Sequence, residues 1–233
     1  MLETIKDIDG IEAPIASGDG VGWPLSDVTE HFLLTFGGTD LFEGLIDGSV
    51  SWTSNEVKDI FKNRLVPLLN SGYFSEPKDW TLILDDWWDG KYALYFMGSW
   101  ITGMVDNASD LGVFTLPGCE AFVFGPDFFF IPKYTEHVDE AKLLAQFLSG
   151  AEGQTIQVQQ GGHIATHLGV SLDAYPEVDR RVAELLQGAT AVTDLDDTIG
   201  GEFQTNFWDQ LKYLWVHPNE WETVLENIES KAP

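Results

Sequence analysis

Five tryptophans, Trp23, Trp52, Trp87, Trp88 and Trp100, stand beside Gly, Pro, Ser or Asp, at turns or at the ends of elements. A core tryptophan more often sits within an apolar stripe. Indole rings at such rims, with carboxylates nearby, have the composition of a carbohydrate site. The apolar face of a pyranose stacks on indole, and its hydroxyls are held by Asp, Glu, Asn and His. The alternative is that these rings simply close the edges of the core. Two other groupings could do chemistry. His163 and His167 are four apart and would share a helix face as metal ligands, but Gly161, Gly162 and Gly169 crowd that stretch and argue against a regular helix. Asp194, Asp196 and Asp197 suggest a calcium loop, yet the spacing and terminal Glu of an EF-hand are missing, so the run reads as a solvated acidic turn.

Nucleophile and phosphate chemistry have no foothold. The chain has no GxxxxGK[ST] loop, no GxGxxG, no HExxH and no GxSxG elbow. A glycoside hydrolase would need two carboxylates, such as Asp86 and Asp127, but no context marks them as an acid/base pair. No cofactor is implied.

The elements that must carry these residues belong to one large domain or two small ones, since the chain has 233 residues. Twelve Lys and Arg against 38 Asp and Glu give a formal net charge of −26. A surface this acidic repels nucleic-acid phosphates and anionic lipid headgroups. The single cysteine, Cys119, excludes an intrachain disulfide. No apolar run reaches the roughly 18–20 residues of a membrane span. The N-terminal residues lack the pattern of a secretion signal and read as part of a helix, with Leu2, Ile5 and Ile8 at helical spacing.

Helices are expected over 1–9, 25–36, 54–71, 80–89, 136–149, 151–160, 176–186, 202–215 and 219–230. In the third, Ser54 or Thr53 caps the start and Pro67 should kink the end. Strands are expected at 13–16, 92–97, 112–116 and 121–131. Short strands among longer helices make an α/β fold with helices covering a sheet.

Residues 90–104, GKYALYFMGSWITGM, resemble the G-x-x-A-M-x-x-x-G-x-W segment of the extracellular solute-binding proteins of ABC importers, in the maltose- and glucose-binding branch. LGVFTLPG resembles the strand and Pro-Gly that follow in that family. FVFGPDFFFIPKYTEHVDEAKLLAQFLSGAEGQ resembles its next unit, a strand ending in I-P-K, a loop and an A-x-x-F-L helix. GGHIATHLGVSLDAYP resembles the G-x-I-P loop region, with Ala165 where Pro is usual, and GDGVGWPLSD resembles the start of the second lobe.

This resemblance implies a two-lobed clamshell receptor rather than an enzyme: an α/β, periplasmic-binding-protein-like type II fold, here mainly the C-terminal lobe with a short N-lobe segment. Family members are longer, so the chain is expected to be a C-terminal portion. Residues 1–120 would be the first part of the C-lobe, 121–165 an N-lobe crossing segment and 166–233 the C-terminal helices of the C-lobe. The ligand would be a mono- or oligosaccharide held between lobes, and the partner the transmembrane permease of the importer. The parent would work outside the cell or in the periplasm, associated with the cell surface. By position, Trp100 matches the family's stacking Trp and Asp127 a sugar-binding carboxylate. Trp23, His163, Asp196 and Asp197 would approach the cleft. On its own the chain would bind sugars weakly or not at all. Phe128, Phe129 and Phe130 would be left uncovered, with a homodimer as one way to bury them.

Overall fold

A computed structural model describes residues 1–233. In chain order the helices and strands are α1 (Leu2–Lys6), β1 (Ala13–Ala16), β2 (Gly18–Asp19), α2 (Trp23–Asp47), α3 (Asn55–Ile60), α4 (Val66–Asn70), β3 (Lys78–Asp79), α5 (Trp80–Trp88), β4 (Tyr92–Tyr95) and β5 (Ala121–Phe124). They continue with α6 (Val138–Ser149), α7 (Ala151–Val158), α8 (Glu177–Leu186), β6 (Thr190–Thr193), α9 (Leu195–Ile199), α10 (Gly201–Val216) and α11 (Trp221–Glu229). The strands form three parallel pairs, β1 with β4, β2 with β3 and β5 with β6. No helix is long and apolar enough to cross a membrane.

The chain divides into two units. The larger comprises Met1–Met97, Leu116–Phe124 and Thr190–Pro233, and the smaller Gly98–Thr115 and Gly125–Ala189. The smaller unit therefore takes in more chain than the 121–165 segment marked out in the sequence.

The larger unit has the main core. Leu25, Val28, Phe32 and Leu33, which share one face of α2, are buried with Phe42 and Leu45 from farther along the same helix. Val57, Ile60, Phe61 and Leu65 join them from α3 and the turn after it, and Phe203, Phe207, Leu211 and Leu214 from α10. Trp52 is a core residue: it is fully buried, with its ring 5.1 Å from Phe207 and 5.7 Å from Phe203.

Two helices depart from their expected outlines for backbone reasons. Gly38, at φ 78° and ψ 176°, breaks the hydrogen-bond ladder of α2 where a stop is expected after residue 36, but the chain resumes helix to Asp47. Pro67 lacks the N–H that would bond back into the preceding turn, and a π-helical segment, Phe61–Leu65, stands before it between α3 and α4. Ser54 is the N-cap, accepting from the Val57 N–H at 3.3 Å.

The smaller unit is thinly packed. Its buried apolar cluster is Val158, Tyr175 and Ala183. Helix α6 buries none of its residues, and Leu143 and Leu144 on it are exposed. The strand expected over 121–131 ends at Phe124, before Gly125 and Pro126, and residues 112–116 form no strand. Pro126 cannot donate a ladder hydrogen bond, which suits that stop. Phe128, Phe129 and Phe130 are 70%, 57% and 83% exposed.

Candidate functional site

In the larger unit the residues that could bind a solute gather around the start of α2. Gly22 caps that helix at φ 105°, a conformation open to glycine and strained for other residues. A Cβ at Gly22 would meet the Cβ and Cγ of Trp208 at 2.6 Å, so the glycine also lets that side chain of α10 lie against the turn. The next residue, Trp23, is half-buried and meets Trp80 edge to face, with ring centroids 5.7 Å apart. Trp80 opens α5, which Asp79 caps by accepting from the Thr81 N–H at 3.0 Å, and the Tyr95 hydroxyl donates to the Trp80 carbonyl at 3.2 Å. Three indoles thus surround one glycine turn.

A buried acid cluster fixes the third of them. Trp208 Nε1–H donates to Asp196 Oδ2 at 2.7 Å, and Gln204 Nε2 donates to Asp196 Oδ1 at 2.8 Å and to Asp197 Oδ1 at 2.6 Å. Ser26 Oγ is in hydrogen-bond contact with Asp196 Oδ2 and with Glu30 Oε1. Glu30 accepts the Leu195 N–H at 2.9 Å and the Asp196 N–H at 3.2 Å, and so ties α2 to the first turn of α9. Asp194 caps that turn by accepting from the Asp197 N–H at 2.9 Å. The acidic run is therefore not a fully solvated turn: Asp196 is 2% exposed, Asp194 is half-buried and Asp197 is exposed.

Burial raises the carboxyl of Glu30 well above its ordinary range, and the charge of Asp194 adds to the effect. Burial also takes Asp27 to about 8, helped by Asp194, Asp196 and Asp197, and Asp194 to about 6. One carboxylate oxygen from each of Glu30, Asp194 and Asp196 lies within 4.8 Å of the others. N–H and O–H donors already fill much of this acceptor set, which suits a hydrogen-bonded cluster rather than a cation cage.

Three candidates belong to the smaller unit. Trp100 is the second residue of a 3-10 turn, Ser99–Gly103, and is half-buried. Its Nε1 lies 2.3 Å from where a Cβ on Gly98 would be, so the indole folds back over a position that must be glycine. Asp127 is exposed in the irregular stretch after Pro126. His163 is exposed and follows Gly161 and Gly162, both in the left-handed region at φ 81° and 77°. His163 and His167 share no helix, and His167 Nδ1 accepts from the Gly169 N–H at 2.9 Å.

The sequence reading passed over Trp80, Trp208 and Glu30. Trp80 carried a signal, since Asp79 before it is a helix cap. Trp208 and Glu30 sit inside helices with ordinary helical neighbours, and only the long-range pairing of α2 with α9 and α10 reveals them. Asp86 fits poorly as the proton donor of a hydrolase. The ammonium groups of Lys91 and Lys78 bond to it and hold its carboxyl below the usual range.

These features define a helix-rich α/β protein with an indole-lined, acid-anchored turn. The chain belongs to the bacterial extracellular solute-binding protein family, whose sequence model matches residues 2–155. Proteins of this family bind solutes and are not enzymes. An ABC transporter extracellular-binding protein of Pyrococcus horikoshii is 55% identical over 234 residues, covering 100% of this chain and 56% of the relative. The chain thus spans little more than half of that relative's length.

Among solved structures, the bacterial solute receptor AcbH, described with an exclusive preference for β-D-galactopyranose, superposes with a TM-score of 0.84 at 20% identity. The match covers 99% of this chain and 62% of AcbH. A chitin oligosaccharide binding protein gives 0.81 at 19% identity, covering 98% of this chain and 61% of that protein. At such identities the likeness speaks for the fold, which is periplasmic-binding-protein-like. The comparisons lend no support to a homodimer.

Proposed function

We propose that the chain is part of the substrate-binding component of an ABC importer, which takes a mono- or oligosaccharide and delivers it to the permease outside the cell or in the periplasm. The observation that carries this reading is the edge-to-face Trp23–Trp80 pair beside Trp208, whose indole N–H is tied to Asp196. Such a surface offers apolar ring faces for pyranose stacking and a carboxylate, Asp197, open to sugar hydroxyls. Trp23 and Trp100 are the stacking residues, and Asp127, His163 and Asp197 the polar contacts. Asp196 acts through Trp208, which it orients. The sugar-binding descriptions of AcbH and the chitin oligosaccharide binding protein agree with the ligand class.

The reading is tested by titrating the protein with a panel of sugars while following tryptophan fluorescence, and by incubating it with nitrophenyl glycosides. A saturable shift without turnover supports a receptor. Turnover of a glycoside would replace it with an enzyme, and submicromolar affinity would contradict the expectation that this portion of the receptor binds weakly.

A further inference from the structure

In the smaller unit one acid, Asp179, reaches two of the segments that carry candidate ligand residues. It lies in the first turn of α8 and is 1% exposed. Its Oδ1 accepts from Thr102 Oγ1 at 2.6 Å and from the Gly162 N–H at 3.0 Å. Thr102 belongs to the same 3-10 turn as Trp100, and Gly162 immediately precedes His163. Its Oδ2 is buried and bonded to no protein group. The two segments are also packed backbone to backbone. A Cβ on Gly162 would come within 2.8 Å of the Trp100 carbonyl oxygen and 3.0 Å of the Gly103 nitrogen, and Gly162 holds φ +77°.

We propose that Asp179 is a positioning residue for solute binding: it clasps the Trp100 turn to the Gly161–Gly162 loop and so sets the orientation of the Trp100 indole and the place of His163. The physical case is that a buried carboxylate is costly unless donors compensate it, and here both donors come from the segments it joins. A surface cation would hold the loops loosely, whereas a desolvated acceptor fixes donor geometry. The inference rests on the reading of Trp100 as a stacking residue, but the clasp itself is testable without any sugar.

The experiment uses the chain with 5-fluorotryptophan in place of tryptophan, the Trp100 resonance being assigned by its loss in Trp100→Phe. In Asp179→Asn the amide oxygen still accepts from Thr102 and Gly162, so the Trp100 fluorine shift should stay at its wild-type position. In Asp179→Ala it should move or broaden while the Trp52 resonance stays fixed. Thr102→Val, which keeps the acid and removes one donor, should move it in the same direction and serves if Asp179→Ala does not fold. A Trp100 signal that stays in place in folded Asp179→Ala and in Thr102→Val, even with a lowered melting temperature, overturns the clasp and leaves Asp179 a stabilising residue only.

Saturation-transfer NMR with D-galactose and N,N′-diacetylchitobiose then separates the two claims. If Trp100→Ala leaves sugar binding intact, the stacking assignment fails, while the fluorine result still decides the clasp. If Trp100→Ala abolishes binding, Asp179→Ala or, if that does not fold, Thr102→Val should weaken it roughly tenfold, and Asp179→Asn should restore it to within about twofold. Unchanged affinity in Asp179→Ala and in Thr102→Val, with Trp100 essential, counts against positioning.

Discussion

Each unit holds a candidate ligand turn with a buried acid, but the two acids work in different surroundings. Glu30 sits under a full hydrophobic core, accepts from Leu195, Asp196 and Ser26, and has Asp27, Asp194 and Asp196 as electrostatic neighbours. Asp179 sits beside a cluster of only Val158, Tyr175 and Ala183, accepts from two donors and keeps one bare oxygen. The contrast shows how a chain with 12 basic residues against 38 acidic ones satisfies its interior acids. The ion pairs lie at the surface, among them Lys78–Asp86, Lys142–Asp139 and Lys231–Glu202, and exposed pairs contribute little. Glu30 and Asp179 are met instead by N–H and O–H groups that include ones from segments distant in sequence, so both also act as fasteners. The larger unit can rely on its core as well, and the smaller unit has little else.

The largest test of that contrast removes an apolar side chain from each unit, one buried and one exposed. Trp52→Ala should cost about 3–5 kcal/mol in urea unfolding. Leu143→Ala on α6, where the side chain is exposed, should stay within about 0.5 kcal/mol. Equal losses would mean that α6 is packed in solution and that the units are built alike.

Next come the acids themselves. Glu30→Ala strands two buried amides of α9 and should cost about 3 kcal/mol, and Asp179→Ala, with two donors stranded, about 2 kcal/mol, both by chemical denaturation. A cost for Asp179→Ala above that for Glu30→Ala would reverse the ranking.

A smaller effect separates the units by pH. Asp27 and Asp194 have folded-state values of about 8 and about 6, both above the carboxylate range of an unfolded chain. The folded state keeps protons that the unfolded state releases. Their contribution to stability is therefore fully present below the unfolded value of about 4 and is lost as pH rises through about 6 for Asp194 and about 8 for Asp27. The melting temperature should fall by several degrees between pH 5 and pH 8, and Asp27→Asn should flatten the decline. A melting temperature that rises over this window would contradict the assignment.

Much of this arrangement is legible in the sequence, and the remainder has physical reasons for staying hidden. The face of Leu25, Val28, Phe32 and Leu33 and the stripe of Val57, Ile60, Phe61 and Leu65 were visible because helical periodicity is local, and those residues are buried. Trp23 stands out as a candidate through Gly22 and Pro24 beside it, and Trp100 through the family resemblance of residues 90–104. The continuation of α2 past Gly38 was hidden because a left-handed glycine stops a ladder without preventing the next one from starting. Trp52 looked like a rim residue because its neighbours are Ser and Thr, yet Phe203 and Phe207, some 150 residues away, close over it. The acids misled most. Asp196 has the sequence surroundings of a surface turn, and only Ser26, Gln204 and Trp208 converging on it account for its burial.

The central claim, that a saccharide stacks on these indoles, is most directly tested by saturation-transfer NMR of a sugar panel against the wild-type chain and Trp23→Ala. The expected result is transfer to pyranose C–H protons for at least one sugar at millimolar concentration, lost in Trp23→Ala although the protein remains folded. Transfer of equal strength in the two proteins, or to no sugar in the panel, would contradict it.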